Sequence, residues 1–138
     1  IVILDPDKYN TKKKYLNALR NTDYDLIFID LYYHNKLLTK ADVKSLKVKK
    51  NGGKRLVCSY LSIGEAESYR YYWKSSWKKK SKRPKWIAKE NKHWHGNYKV
   101  RYWYPAWQKI LYGYLDKIIN VGFDGVYLDV IDAYEYFE

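Results

Sequence analysis

Apolar residues fall into four short runs, separated by stretches in which they recur every three or four positions. The runs cover Ile1 to Asp5, Asp25 to Leu31, Arg55 to Ser62, and the segment that follows Gly122 and closes at Asp129. Short apolar runs bounded by glycine and polar residues predict strands enclosed on both faces. After the first run, Thr11 is placed to N-cap a helix reaching about Arg20, with Tyr15, Leu16 and Leu19 on one face. After the second, Thr39-Lys40-Ala41-Asp42 forms a capping pattern for a helix with Val43, Leu46 and Val48 inward. Asn51-Gly52-Gly53 breaks that helix. After the third run, Ala66 to about Tyr72 predicts a helical turn, followed by a long aperiodic excursion from Trp73 to Tyr104. Pro105 then opens a helix to about Asn120, with Ile110, Leu111, Leu115, Ile118 and Ile119 as its apolar stripe, and Gly122 ends it.

Strands alternating with helices at this spacing predict parallel strands joined by right-handed crossovers. Four such units are half of an eight-stranded barrel, which needs roughly 250 residues. The expected fold class is therefore α/β, a single domain over residues 1–138 built of parallel (β/α) units. It is either about half of a (β/α)8 barrel or a small open sheet.

Composition narrows the classes. A hydrophobic fraction of 46% argues against disorder. No apolar run is long enough to span a membrane, and no signal peptide is visible. The chain opens on Ile1 and contains 0 methionines, so a processed or truncated product is expected, and secretion stays open. The single cysteine, Cys58, has no internal disulfide partner and reads as a small buried hydrophobe. The net charge of +12 comes with abundant Lys, Tyr, Asn and Ile, so compositional bias accounts for it more readily than an anionic partner does. Several acids stand at or just past strand ends: Asp5, Asp7, Asp30, Glu65, Glu67, Asp129 and Asp132. That pattern suggests an acidic mouth on a basic body.

Carboxylates at the C-terminal ends of barrel strands are where such folds place their chemistry. Asp129 closes the fourth strand and is the leading catalytic candidate. Asp132 lies three positions on; in an extended strand the two would face opposite sides unless the chain turns at Val130-Ile131. It orients Asp129 or caps the following turn. Asp124 reads as a turn residue before the strand, and Asp30 as a carboxylate able to bind sugar hydroxyls. Beyond the third strand, Gly64 permits a tight exit, Glu65 and Glu67 follow, and Arg70 is placed to pair with one of them or with a substrate. Spacing alone favours a solvated helix start for these two acids.

The excursion interleaves Trp73, Trp77, Trp86, Trp94 and Trp103 with the basic run Lys78-Lys79-Lys80-Ser81-Lys82-Arg83-Pro84-Lys85. Aromatic faces can stack on sugar rings, can pack the segment onto the body, or can hold a single-stranded nucleic acid beside the lysines. Glycan subsites and packing are the stronger readings, since a long ordered segment in a compact domain is more often functional than idle. His93, His95 and His34 have no metal-ligand spacing, and no phosphate-binding or G-x-S-x-G motif occurs. No cofactor, metal or nucleic-acid partner is expected.

Three ordered segments resemble one family. They are Tyr60-Leu61-Ser62-Ile63-Gly64-Glu65-Ala66-Glu67 with Tyr69-Arg70 and Tyr72-Trp73; Trp94, Gly96-Asn97-Tyr98, Val100, Tyr102-Trp103 and Pro105-Ala106-Trp107; and Gly122-Phe123-Asp124-Gly125-Val126-Tyr127-Leu128-Asp129 with Asp132-Ala133-Tyr134-Glu135. Together they are similar to glycoside hydrolase family 114, the endo-α-1,4-polygalactosaminidase-like TIM-barrel proteins. The resemblance spans nearly the whole chain but only the N-terminal half to two-thirds of the family domain. Lys92 stands where proline is expected and Tyr104 where aspartate is common. The second change removes a possible subsite contact.

The resemblance implies a secreted or cell-surface glycoside hydrolase acting on a polysaccharide, with galactosamine-containing polymers as one class. The family's fourth-strand aspartate falls on Asp129. Its partner glutamate comes from a later strand that this sequence does not contain, and a two-carboxylate mechanism cannot run on one. Glu65 is a substitute that spacing does not demand. Asp30, Tyr60, Glu65, Arg70, Trp103 and Asp132 are the expected substrate-binding residues. A half barrel would expose strand edges, so self-association or membership in a longer protein is expected. A +12 body repels a cationic polymer at long range, leaving neutral, acetylated or anionic glycans as alternatives. A non-catalytic glycan-binding module is the main alternative to an enzyme.

Overall fold

The computed structural model describes residues 5–138. The first expected strand, Ile1 to Asp5, lies almost wholly outside the described residues. In chain order the elements are α1 (Lys12–Arg20), β1 (Leu26–Ile29), β2 (Tyr32–Tyr33), β3 (Lys36–Leu37), α2 (Lys40–Leu46), β4 (Leu56–Ser62), β5 (Glu65–Glu67), β6 (Ile87–Glu90), β7 (Asn97–Val100), α3 (Pro105–Asn120), β8 (Gly125–Asp129) and α4 (Tyr134–Phe137). They form two compact units. One holds the described residues up to Leu61 with Leu115–Tyr127; the other holds Ser62–Tyr114 with Leu128–Glu138.

The first unit follows the apolar pattern closely. Thr11 Oγ1 accepts the Lys14 N–H at 3.1 Å and starts α1, which buries Tyr15, Leu16 and Leu19. Thr39 and Asp42 complete a reciprocal capping box at the head of α2, whose buried face is Val43 and Leu46. Val48, expected inward, is exposed instead, because α2 has ended and the chain bridges back from Val48 to Lys54. A small hairpin of β2 and β3, with His34 at a φ of 51°, follows β1 and has no counterpart in the apolar pattern.

The main sheet has the order β1-β4-β8. β1 and β4 are parallel, with Leu26 opposite Leu56 and Ile29 opposite Ser59. β8 runs the same way along β4: the Asp124 N–H donates to the Val57 carbonyl at 2.8 Å, and further on the Ile63 N–H donates to the Asp129 carbonyl at 3.1 Å. The sheet is thus the expected parallel α/β arrangement. Cys58 is half-buried on β4, and its Sγ would meet a Cβ at Gly125 at 3.3 Å, so the glycine lets β8 lie close. Burial, with a smaller push from Asp124, raises the thiol pKa, in keeping with an inert structural cysteine.

Arg55 ties the first unit together from the head of β4. It is 2% exposed, and its guanidinium donates to the carbonyls of Leu19 at 2.8 Å, Tyr24 at 3.0 Å and Thr22. These are the carbonyls that leave α1 and enter β1.

In the second unit the excursion is not a loop. β5, β7 and β6 form an antiparallel sheet in that order, with Glu65 opposite Lys99 and Glu67 opposite Asn97. The expected helical turn from Ala66 to Tyr72 is therefore replaced by a strand over Glu65–Glu67. Behind the sheet, indole rings pack in series: Trp73 on Trp77 at 5.2 Å, Trp77 on Trp86 at 5.5 Å, and Trp86 on Trp107 at 5.2 Å. Ala66, Ile87 and Val100 are buried in the same aromatic cluster. α3 contributes Trp107 and Tyr114 to this unit and buries Ile118 in the other. Ile119, expected in the stripe, is 61% exposed, while Ile110, Leu111 and Leu115 are half-buried.

Candidate functional site

Five of the expected site residues fall in the second unit: Glu65, Arg70, Trp103, Asp129 and Asp132. Asp30 and Tyr60 belong to the first. Asp30, half-buried just past β1, accepts the Tyr32 N–H through Oδ1 at 2.8 Å and so shapes the turn into β2. Tyr60 sits on β4 and stacks on Tyr127 of β8 at 6.4 Å.

The second unit begins with a close crossing. A Cβ on Gly64 would lie 2.2 Å from the Val130 carbonyl oxygen and 2.5 Å from the Ala133 Cβ. Only glycine lets the segment leaving β4 pass the segment leaving β8. The Trp107 indole N–H donates to the Ile63 carbonyl at 3.0 Å and fixes this crossing from the aromatic core.

From there β5 sends Ala66 into the tryptophan core and both glutamates to its other face, as strand alternation requires. Glu65 is 3% exposed and Glu67 5% exposed, so the solvated helix start is overturned. Pairing with β7 is what buries them. Glu65 Oε2 accepts the Asn91 side-chain amide at 2.9 Å and lies 3.9 Å from the Lys99 ammonium. Glu67 accepts Arg70 Nε at 3.1 Å through Oε1 and the Tyr69 hydroxyl through Oε2. Arg70 pairs with Glu67, and its guanidinium also sits over the rings of Tyr69 and Tyr114. The Tyr72 hydroxyl accepts the Glu67 backbone N–H at 2.9 Å; burial first, and the Glu67 charge second, push its pKa far up, so it stays a neutral phenol.

Asp129 is half-buried at the C-terminal end of β8. The next residue, Val130, has a φ of 60°, a left-handed conformation that costs a β-branched side chain of the order of 1–3 kcal/mol. The strand thus stops extending immediately after Asp129. Asp132 lies on the turn that follows, exposed, with its carbonyl accepting the Glu135 N–H at 3.0 Å. The argument that the two aspartates face opposite sides of one strand does not apply, because the chain turns between them.

Beside this turn lies an apolar cavity of about 390 Å³, lined by Ile63, Gly64, Tyr102, Val130, Ile131 and Tyr134 among others. Trp103 is 48% exposed and packs edge-on against Phe137 at 5.0 Å and Tyr102 at 5.2 Å. Of the excursion's tryptophans, Trp77 and Trp86 are core, whereas Trp94 and Trp103 face solvent. Among the described residues no group of three or more His, Cys, Asp and Glu is gathered as a metal site. His95 instead pairs with Glu90 at 3.3 Å. Among the same residues, no helix is long and apolar enough to cross a membrane.

The parallel strands β1, β4 and β8 give the α/β arrangement of a TIM-barrel-type domain. The chain belongs to glycoside-hydrolase family GH114, whose profile matches residues 7–138. It is 42% identical over 128 residues to an uncharacterized protein of Methanocaldococcus jannaschii, covering 93% of this chain and 36% of that one. It is 41% identical over 120 residues to an uncharacterized protein of Deinococcus radiodurans, covering 87% of this chain and 37% of the other. The chain thus spans little more than a third of these curated relatives. In fold it is similar to Aspergillus fumigatus Ega3, solved in complex with galactosamine, with a TM-score of 0.63 at 24% identity over 82% of this chain and 39% of that one. The glycoside hydrolase domain of PelA from Pseudomonas aeruginosa gives a TM-score of 0.61 at 19% identity, over 82% and 40% of the two chains.

Proposed function

We propose that this chain carries part of the active site of an enzyme that hydrolyses a polysaccharide, with Asp129 as its nucleophile or base. The observation that carries this reading is the position of Asp129: it ends β8, half-buried, and the strained Val130 turns the chain away directly behind it. Strain held immediately beside a carboxylate at a strand exit is where function retains unfavourable backbone. The exposed faces of Tyr102, Trp103 and Tyr134 beside the apolar cavity offer stacking surface for sugar rings.

The roles of the other residues divide by exposure. Asp132 and Trp103 reach solvent and meet the substrate. Glu65 and Arg70 are buried in bonds to Asn91 and Glu67 and hold the β5 frame in place. Asp30 and Tyr60 belong to the first unit, where Asp30 shapes the turn into β2 and Tyr60 stacks on Tyr127. Glycoside hydrolysis requires a second carboxylate, and this chain matches only 39% of the Ega3 structure. The partner acid comes from the remainder of the family domain. Galactosamine-containing polymers are one class to test, given the galactosamine complex of Ega3, beside neutral and acidic glycans.

Release of reducing ends from acetylated and deacetylated galactosamine polymers, by this chain joined to the remainder of the family domain that supplies the second carboxylate, tests the proposal. Asp129→Asn is expected to lower turnover roughly a thousandfold with the thermal unfolding midpoint unchanged. Unaltered turnover removes Asp129 from the mechanism. A second reading, a glycan-binding module without catalysis, is favoured by the solvent-facing Trp94, 68% exposed. It predicts binding without turnover in both forms.

A further inference from the structure

The charge of the second unit is concentrated in one segment. From Lys78 to Arg101 there are ten basic residues and one acid, Glu90. Much of this charge converges on an open cavity of about 1310 Å³, lined by Lys80, Arg83, Lys85, Lys89 and Arg101, with Glu90 as its one carboxylate. The two arginines are not neutralised by bonded carboxylates. Arg83 donates to the carbonyls of Trp77 at 2.7 Å and Lys78 at 3.5 Å, and lies over the Tyr98 ring. Arg101 donates to the carbonyls of Lys85 and Ile87. Carbonyl dipoles fix both guanidinium groups; Arg83 also shares the field of Glu90, whereas Arg101 is bonded to carbonyls only. Glu90 is occupied: it accepts the Gly96 N–H at 2.9 Å and faces His95 at 3.3 Å, contacts that, despite opposing burial, hold its carboxyl below the usual range. Lys80, Lys85 and Lys89 are exposed.

The far wall of the cavity is aromatic, made by Tyr104, Tyr136 and Phe137. Phe137 packs on Trp103 at 5.0 Å and lies 6.4 Å from Tyr102, which lines the apolar cavity beside Val130. A continuous band of rings therefore joins the cationic cavity to the neighbourhood of Asp129. Sugar rings need stacking faces along their length, and a charged polymer needs counter-charge alongside them.

We propose that this cationic cavity is a binding subsite for an anionic glycan, a polymer bearing carboxylates on its rings, which continues from it along the aromatic band toward Asp129. The proposal rests on the reading of this unit as part of a glycan-cleaving enzyme and specifies its substrate class. Five cations against one occupied carboxylate would repel a polymer of free amines at this position, and exposed charges of this kind act within about 10 Å at moderate salt.

The test is calorimetric titration of the full chain with polygalacturonate, and with dextran, polygalactosamine and single-stranded DNA as comparators. Polygalacturonate is expected to bind at least tenfold more tightly than dextran or polygalactosamine, and to weaken steeply as salt rises. The triple variant Lys80→Gln, Lys85→Gln, Lys89→Gln, its fold checked by circular dichroism, is expected to lose at least tenfold of that affinity. Equal affinity for polygalacturonate and dextran overturns the proposal, as does full retention by a folded triple variant. Tighter binding of DNA than of polygalacturonate reassigns the cavity to nucleic acid. Reducing-end release is followed in parallel with this chain joined to the remainder of the family domain: absent cleavage there with intact polygalacturonate binding counts against the hydrolase reading alone, and cleavage of neutral or cationic glycan without polygalacturonate preference counts against the subsite alone.

Discussion

Asp124 and Val57 hold each other twice. The Asp124 N–H donates to the Val57 carbonyl at 2.8 Å, and the Val57 N–H donates back to Asp124 Oδ2 at 2.9 Å. Lys47 reaches Oδ1 of the same carboxylate at 3.2 Å. In sequence Asp124 looks like an ordinary turn residue between two glycines. In the fold its side chain takes the place of a strand residue and sets where β8 begins along β4.

Removing that carboxylate leaves the Val57 N–H without its acceptor. Asp124→Ala is expected to lower stability by about 1–2 kcal/mol, read as a shift in the urea midpoint. Asp124→Asn keeps an acceptor oxygen and should recover part of the loss. Equal midpoints for wild type and the alanine variant would show that the double bond contributes nothing to register.

Gly64 makes a different prediction, because its constraint is space. A methyl group there would stand 2.2 Å from the Val130 carbonyl oxygen, and backbone on both sides has to move. Gly64→Ala is expected to destabilise the second unit by at least about 2 kcal/mol. The displaced turn carries Val130, so turnover should fall further than the loss of folded protein explains. Activity per folded molecule separates the two effects; an unchanged value would detach this crossing from the site.

How much of this was legible in the sequence depended on the range of the interaction. α1, α2 and α3 follow from caps and apolar spacing, and β1, β4 and β8 from short apolar runs, because those signals lie within one element. The helical turn expected from Ala66 to about Tyr72 gives way at its start to the strand Glu65–Glu67. Its residues favour helix, and only the distant β7 makes it a buried strand. The same pairing turned two apparently solvated acids into buried ones. Trp77 and Trp94 are indistinguishable by composition, yet one is 7% exposed and the other 68% exposed. That difference is tertiary. The turn at Val130 is not legible in the sequence, since a left-handed valine has no local signature. The position of Asp129 at the end of β8 follows from its place at the end of an apolar run.

Asp42 gives a pH-dependent outcome. Burial alone would raise its carboxyl, but the Thr39 N–H at 2.9 Å and the Lys12 ammonium at 2.9 Å outweigh that and hold it below the usual carboxylate range. A carboxyl depressed in the folded state adds stability above its unfolded value, about pH 4, and that increment disappears as pH falls through the lower folded value. Asp42→Asn is therefore expected to cost about 1 kcal/mol at neutral pH, with the gap to wild type closing in acid. Unfolding curves at pH 7 and pH 3 check this. A gap that stays constant would mean the cap acts by shape rather than charge.

All six tryptophans, Trp73, Trp77, Trp86, Trp94, Trp103 and Trp107, lie in the second unit, and four of them stack in series. The first unit has only tyrosines and phenylalanine as aromatic residues. Emission excited in the indole band alone is consequently an optical label built into one half of the molecule. Ring contacts near 5 Å also let excitation migrate along the stack, so its polarisation follows the integrity of that array. With far-ultraviolet dichroism recorded alongside, the melting of the two units can be followed separately without attaching a dye.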